Sequence, residues 1–344
     1  MSEFLKLSAE ERKEALLAAQ EAHESNLPAY IIEKDYWVTV TLKILYEVIA
    51  PIYTPKIIKP FIFKGGTSLS KCFKVINRMS EDIDLSLSLD LLGHEAVVKK
   101  EGISRKKLKQ AADEIQVTAQ HFVSDNLLVQ ATSELNKLDS SIVVNLEANG
   151  FDIAINYPKS LSENDYGTGV LPRVLLEMGG LSDDNPTEKV QIQHMLGESI
   201  ESLEDGSFKV IALAPARTML EKMFGVHTNL TQQKEQDKYA RHLFDIIQLN
   251  QKFPDWVESK DLFFAHVDFS DANYKTHQIS CDTARSGPIK LCPNSVKMTE
   301  HYKNDWEKMS DMFPGGALPY TYDKLIEEVQ KVQDKVNEQF YPTD

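Results

Sequence analysis

Two aspartates, Asp82 and Asp84, stand one residue apart in a run where Ile83, Leu85, Leu87 and Leu89 alternate with Asp82, Asp84, Ser86 and Ser88. Period-two alternation is the signature of a half-buried strand, so both carboxylates face the same side. Neighbouring carboxylates repel unless a cation bridges them. An all-oxygen pair suits Mg²⁺, with Mn²⁺ as a substitute, because such ions take one or two carboxylates plus substrate phosphates. Upstream, Lys64-Gly65-Gly66-Thr67-Ser68 follows the short apolar run Phe61-Ile62-Phe63. A strand that stops at a glycine pair and opens a helix lets backbone N–H groups approach an anion. Thr67 and Ser68 add hydroxyls. Together the two parts describe a cradle for a triphosphate and its cation. Each also has an ordinary reading: a turn with a helix cap, and a solvated strand face.

These residues need elements to carry them. The spacing predicts a helix opened by a capping box at Ser8 and Glu11, and a second helix over 29–50, ended by Pro51 and Pro55. It predicts a strand at 61–63, a helix at 67–76 and the D-x-D strand at 83–89. Further strands are expected at 127–132, 141–147, 151–157, 170–178, 190–195 and 208–212, and a helix at 104–122. Beyond Pro215 the pattern is mostly helical, closing with an amphipathic helix over 322–340. The fold class expected is α+β: a mixed-sheet core with N-terminal helices over 1–212, and a helical C-terminal domain over 213–344.

Composition limits the partners. The chain has 344 residues, 38 Lys plus Arg against 52 Asp plus Glu, and a net charge of −14. That excludes a protein uniformly coated in basic surface. The charge is uneven. Residues 177–206 carry eight acids and one base, whereas 99–109 carry six bases and one acid. Cys72, Cys281 and Cys292 form no C-x-x-C pair, and the N-terminus lacks a secretory pattern. No run of about 18 apolar residues offers a membrane span. A cytoplasmic protein is the expectation.

G-G-T-S followed by D-x-D resembles the nucleotidyltransferase core of the DNA polymerase β superfamily. K-G-G-T-S-L with R-x-S-E-D-I-D-L resembles, more closely, the AbiEii/AbiGii-type nucleotidyltransferases, toxins of bacterial abortive-infection and toxin–antitoxin pairs. E-K-D-Y-W-V at 33–38, P-A-R-T-M-L-E-K at 215–222, R-H-L-F-D-I at 241–246 and D-W-E-K-M-S-D-M-F at 305–313 resemble further motifs of the group.

The resemblance implies a metal-assisted enzyme that moves a nucleotide from an NTP to RNA, a tRNA 3′ end first among acceptors, with a cognate antitoxin. Gly65, Gly66, Thr67 and Ser68 would form the phosphate turn, with Lys64 and Arg78 beside it. Asp82 and Asp84 would hold the metal, and Glu177 would be the third carboxylate, as ligand or base. Lys222 would hold the β and γ phosphates. Asp245 would order Lys222 or bind the nucleotide, and Arg241 would assist in binding.

Lys238, Arg241, His242 and Asp245 fall on one helical stripe, which also reads as a self-satisfied surface ion network. Lys99, Lys100, Arg105, Lys106, Lys107 and Lys109 form a basic run fit for an RNA backbone, or a solvated helix start. Two other readings stay open: the same core acting on a protein or small molecule, and a binding protein without turnover.

Overall fold

The computed structural model describes residues 2–23, 27–80, 82–95, 103–166 and 171–342. The chain divides into two compact units. One comprises Met1–Cys72, Met79–Glu95 and Ile115–Ala212; the other comprises Phe73–Arg78, Ala96–Glu114 and Leu213–Asp344.

The first unit is built on a seven-stranded mixed sheet. Its strands are β1 (Phe61–Lys64), β2 (Ile83–Leu87), β3 (Val143–Leu146), β4 (Ile153–Asn156), β5 (Arg173–Gly179), β6 (Thr187–Ile192) and β7 (Phe208–Leu213), in the order β3-β4-β5-β2-β1-β7-β6. β2 lies in the middle, antiparallel to β1 and parallel to β5. Its Ile83, Leu85 and Leu87 are fully buried, as the alternation requires.

The N-terminal helices are α1 (Glu3–Lys6), α2 (Ala9–Ala22), α3 (Ala29–Lys43) and α4 (Ala50–Tyr53). The Ser8–Glu11 capping box forms at the start of α2. Pro51 does not end the helical run. A π turn at Ile44–Ile49 leads into α4, and Pro51 sits in the first turn of α4, where its missing N–H costs little. α5 (Gly65–Lys71) starts earlier and stops sooner than expected. It is followed by α6 (Leu89–Leu92), α7 (Arg105–Phe122) and α8 (Leu128–Leu138).

The strand expected at 127–132 is helical instead. A short run such as Leu127-Leu128-Val129 fits either period. Buried Leu127, Ala131 and Leu135, at four-residue spacing, decide for helix. α9 (Met195–Ser199) packs on α2 and α3.

The second unit is helical: α10 (Pro215–Thr231), α11 (Ala240–Lys252), α12 (Lys260–Asn273), α13 (Gln278–Ser286), α14 (Val296–Glu307) and α15 (Tyr322–Phe340). α11 packs on α10, α14 and α15. α15 keeps the expected bounds. Thr321 caps it, and Leu325, Val329, Val332, Val336 and Phe340 form its buried stripe. Each such side chain contributes about 1.5–3 kcal/mol. The three cysteines are free, and among the described residues no helix is long and apolar enough to cross a membrane.

Candidate active site

The sheet register lines up three side chains. Asp84 on β2 stands opposite Lys64 on β1 and opposite Glu177 on β5. Neighbouring strands lie about 4.8 Å apart, so the two carboxyl groups are in reach of each other. The Glu177 pKa is pushed up to about 8. Burial is the largest cause, followed by the charges of Asp84 and Asp82. Lys64 turns its ammonium to Ser182 Oγ (3.2 Å). Arg173, which shares the face of Glu177, is paired with Glu147 (2.7 Å).

The glycine turn is fitted to this carboxylate row. Gly65 has φ +76°, and a Cβ there would lie 1.8 Å from Asp84 Oδ2. Glycine is therefore required twice, by the backbone and by the close approach of Asp84. Thr67 donates to the Asp82 carbonyl (2.5 Å), and Ser68 donates to the Gly65 carbonyl (3.0 Å). Both hydroxyls are buried and serve the turn's own architecture. Thr67 thus ties the turn to the first residue of the acidic pair. Backbone N–H groups remain the turn's means of meeting an anion.

The E-K-D-Y-W-V segment on α3 proves to be a clamp inside the same unit. Asp35 accepts from Lys71 Nζ (2.6 Å), at the end of α5, and from the Met195 N–H (2.7 Å), at the start of α9. Lys71 also donates to the Gln193 carbonyl (3.1 Å). Buried Glu33 accepts from the Ser160 N–H (2.7 Å) and from the Tyr166 hydroxyl. Burial raises its pKa. Lys34 is also buried and donates to the Leu171 carbonyl (3.0 Å), which commits its ammonium inside the unit. Trp37 stacks on Tyr157 (5.4 Å between centroids) and is fully buried. These residues grip α5 and the segment just before β5. Their mark in the sequence is a charged triplet, Glu33-Lys34-Asp35, inside a helix that is otherwise mostly apolar.

The second unit holds a different cluster. Asp245 is completely buried. It receives Arg78 through Nε (2.8 Å) and Nη2 (2.7 Å), and Lys222 Nζ (2.8 Å). Burial would raise its pKa, but the Arg78 and Lys222 charges outweigh that and hold it far below the usual carboxylate range. Lys222 Nζ also meets His242 Nδ1 (3.3 Å). Burial first, then Lys222, keep that imidazole well below its ordinary pKa. Arg241 is partly exposed on the same helix. The expected four-residue polar stripe is thus revised. Lys238 lies before α11, its N–H bonded to Asp305 Oδ1 (2.6 Å), and Asp245 is buried with Arg78 and Lys222 rather than part of a surface network. Tertiary pairing with Arg78, 167 residues away, is what buries it.

Within the basic run, Lys99 and Lys100 lie outside the described residues. Arg105 is paired with Asp271 (3.0 Å), so its charge is committed. Lys106, Lys107 and Lys109 are exposed on the first turns of α7.

Among the described residues no three His, Cys, Asp or Glu groups already converge as a finished cation site. The Asp84–Glu177 pair nevertheless fits a hard divalent ion. It is all-oxygen, and the crowding of acids that pushes the Glu177 pKa up is the charge a cation would offset.

The sequence matches the model of the nucleotidyl transferase AbiEii toxin family, described as a type IV toxin–antitoxin system, over residues 50–332. No match is found among curated proteins. Among solved structures, the chain is similar to MenT4, a nucleotidyltransferase toxin of Mycobacterium tuberculosis H37Rv. The identity is 12%, the match covers 94% of this chain and 98% of that one, and the TM-score is 0.43.

Proposed function

The chain belongs to the AbiEii nucleotidyltransferase toxin family of type IV toxin–antitoxin systems, and from that premise we propose that it transfers a nucleotide from an NTP to RNA, a tRNA 3′ end in particular. The observation that carries the site assignment is the side-by-side placement of Asp84 and Glu177 next to the Gly65 turn. Asp82, Asp84 and Glu177 would hold Mg²⁺, which when bound supplies counter-charge to the triphosphate and acidifies the attacking hydroxyl. The Gly65-Gly66 turn positions phosphate oxygens through backbone N–H groups. The acceptor hydroxyl oxygen bonds to the α-phosphorus, the bond from that phosphorus to the bridging oxygen breaks, and pyrophosphate leaves. Glu177, in its ionised form, accepts the hydroxyl proton. The family resemblance implies a point charge from Lys222 for the β and γ phosphates. NTPs and RNA place this chemistry in the cytoplasm, and the family implies a paired antitoxin.

The test is incubation with each labelled NTP, Mg²⁺ or Mn²⁺, and total RNA. Label in the tRNA fraction, lost in Asp84→Ala, is the expected result. Label in protein, or none in any RNA, overturns the acceptor assignment. Full transfer by folded Asp84→Ala overturns the site.

A further inference from the structure

We infer that His242 is the positioning residue for Lys222, aiming a single N–H of its ammonium at the anion it serves. This rests on the reading of Lys222 as a phosphate-binding residue and goes beyond it.

An ammonium has three donors and no acceptor. A ring nitrogen that faces it at hydrogen-bond distance must therefore accept. The 3.3 Å approach of Lys222 Nζ to His242 Nδ1 fixes the imidazole as neutral, with its proton on Nε2. The setting agrees: burial of the ring and then the Lys222 charge disfavour a further positive charge there and, with Arg241 and Arg78, outweigh the opposing pull of Asp245. Tyr239 meets the same ring edge-on, with centroids 4.7 Å apart, and limits its rotation. A second Lys222 donor goes to Asp245 Oδ2 at 2.8 Å. Asp245 cannot turn away, because Arg78 grips both of its oxygens.

With two of three tetrahedral directions tied, the third is determined. Lysine is normally a freely rotating point charge on a flexible stem. Here the Lys222 side chain is only 9% exposed and its head is tethered at two points. Two basic side chains, Arg78 and Lys222, meet on one carboxylate, so this trio carries a formal excess of one positive charge. That excess suits a phosphate oxygen. Asp245 supplies the charge balance that keeps Lys222 in place. His242 supplies direction without adding charge, which a second carboxylate could not do.

The experiment measures steady-state transfer from the labelled NTP to total RNA by the full chain, with unfolding midpoints recorded for each variant. Lys222→Met sets the floor. His242→Leu removes the acceptor and is expected to lower kcat about tenfold to a hundredfold, with KM for the NTP changed less than about threefold. Removing this tether is comparable to removing an outer-shell partner. His242→Asn, whose Oδ1 reaches the place of Nδ1, is expected to recover most of kcat. His242→Gln, whose carbonyl oxygen extends toward the place of Nε2, is not. The Asn and Gln variants keep a polar amide of similar size, so the contrast survives if His242→Leu folds poorly. A merely structural histidine would shift the midpoints and leave kcat per folded molecule unchanged, which overturns the inference. Equal activity of the Asn and Gln variants also overturns it. If Lys222→Met transfers normally, the reading of Lys222 itself fails, and the inference falls with it.

Discussion

Asp84 with Glu177, and Asp245 with its cations, are two buried or half-buried carboxylate groupings under opposite electrostatic conditions. In the first, acids face acids across β2 and β5, and Glu177 is pushed up to about 8. In the second, Asp245 sits between Arg78 and Lys222 and stays ionised far below the usual range. One grouping is short of positive charge; the other already has it, and one charge over. The first is therefore suited to gain a cation, and the second, already neutralised with one charge over, to meet an anion. The difference decides which charge each grouping would meet more sharply than burial does, since Asp245 is more buried than Asp84 or Glu177.

The largest expected effect tests the first grouping. Asp84→Asn should reduce nucleotide transfer by about 10²–10⁴-fold, the loss of several kcal/mol of charge stabilisation. The same change should leave the metal-free fold at least as stable, because it relieves repulsion on Glu177. A drop in unfolding midpoint would contradict an unsatisfied acid pair at this position.

Next comes the second grouping. Asp245→Ala removes the carboxylate that Arg78 and Lys222 share, and should cost about 3–5 kcal/mol in chemical denaturation. A loss below about 1 kcal/mol would erase the difference between the two groupings.

Smaller still is a pH effect confined to the first. The folded pKa of Glu177 lies above its unfolded value of 4.5, at about 8. Its contribution to stability is fully present below pH 4.5 and is lost as pH rises through 8. The metal-free protein should therefore weaken over that window by roughly 1–2 kcal/mol, after allowance for partial exposure. Saturating Mg²⁺ should abolish the slope, and Glu177→Gln should remove it without metal. Asp245 titrates too low to contribute there.

The smallest effect concerns cations with no such burial. Replacing Lys106, Lys107 and Lys109 together by Gln should weaken RNA binding. It should also flatten the slope of log affinity against log salt by about 0.7–0.9 for each phosphate left un-neutralised. An unaltered slope would leave these lysines as a solvated helix start.

What can be read from the sequence follows the range of the forces involved. The alternation from Ile83 to Leu87 is a local pattern, and β2 appears where it predicts. The stripe of α15 and the Ser8 capping box are local too, and both form. The run at 127–132 misleads because six residues cannot separate a helix from a strand. Pro51 misleads because the π turn that accommodates it leaves no compositional mark. Glu177 enters through a family resemblance, and only the β2–β5 register shows it beside Asp84. Arg78 meeting Asp245, and Asp35 meeting Lys71, join segments far apart in the chain, and no spacing rule reaches that far.

Arg78 and Asp245 also set a condition on synthesis. The guanidinium leaves the ribosome 167 residues ahead of the carboxylate that neutralises it. The helical unit takes Phe73–Arg78 from the early chain and Leu213–Asp344 from the late one. A fragment cut at the end of the sheet would carry Arg78 without Asp245, and the complementary fragment would bury Asp245 with Lys222 alone. Neither half can finish this cluster by itself. The ion lock needs a chain translated past residue 245, so products that end before Asp245 lack it altogether.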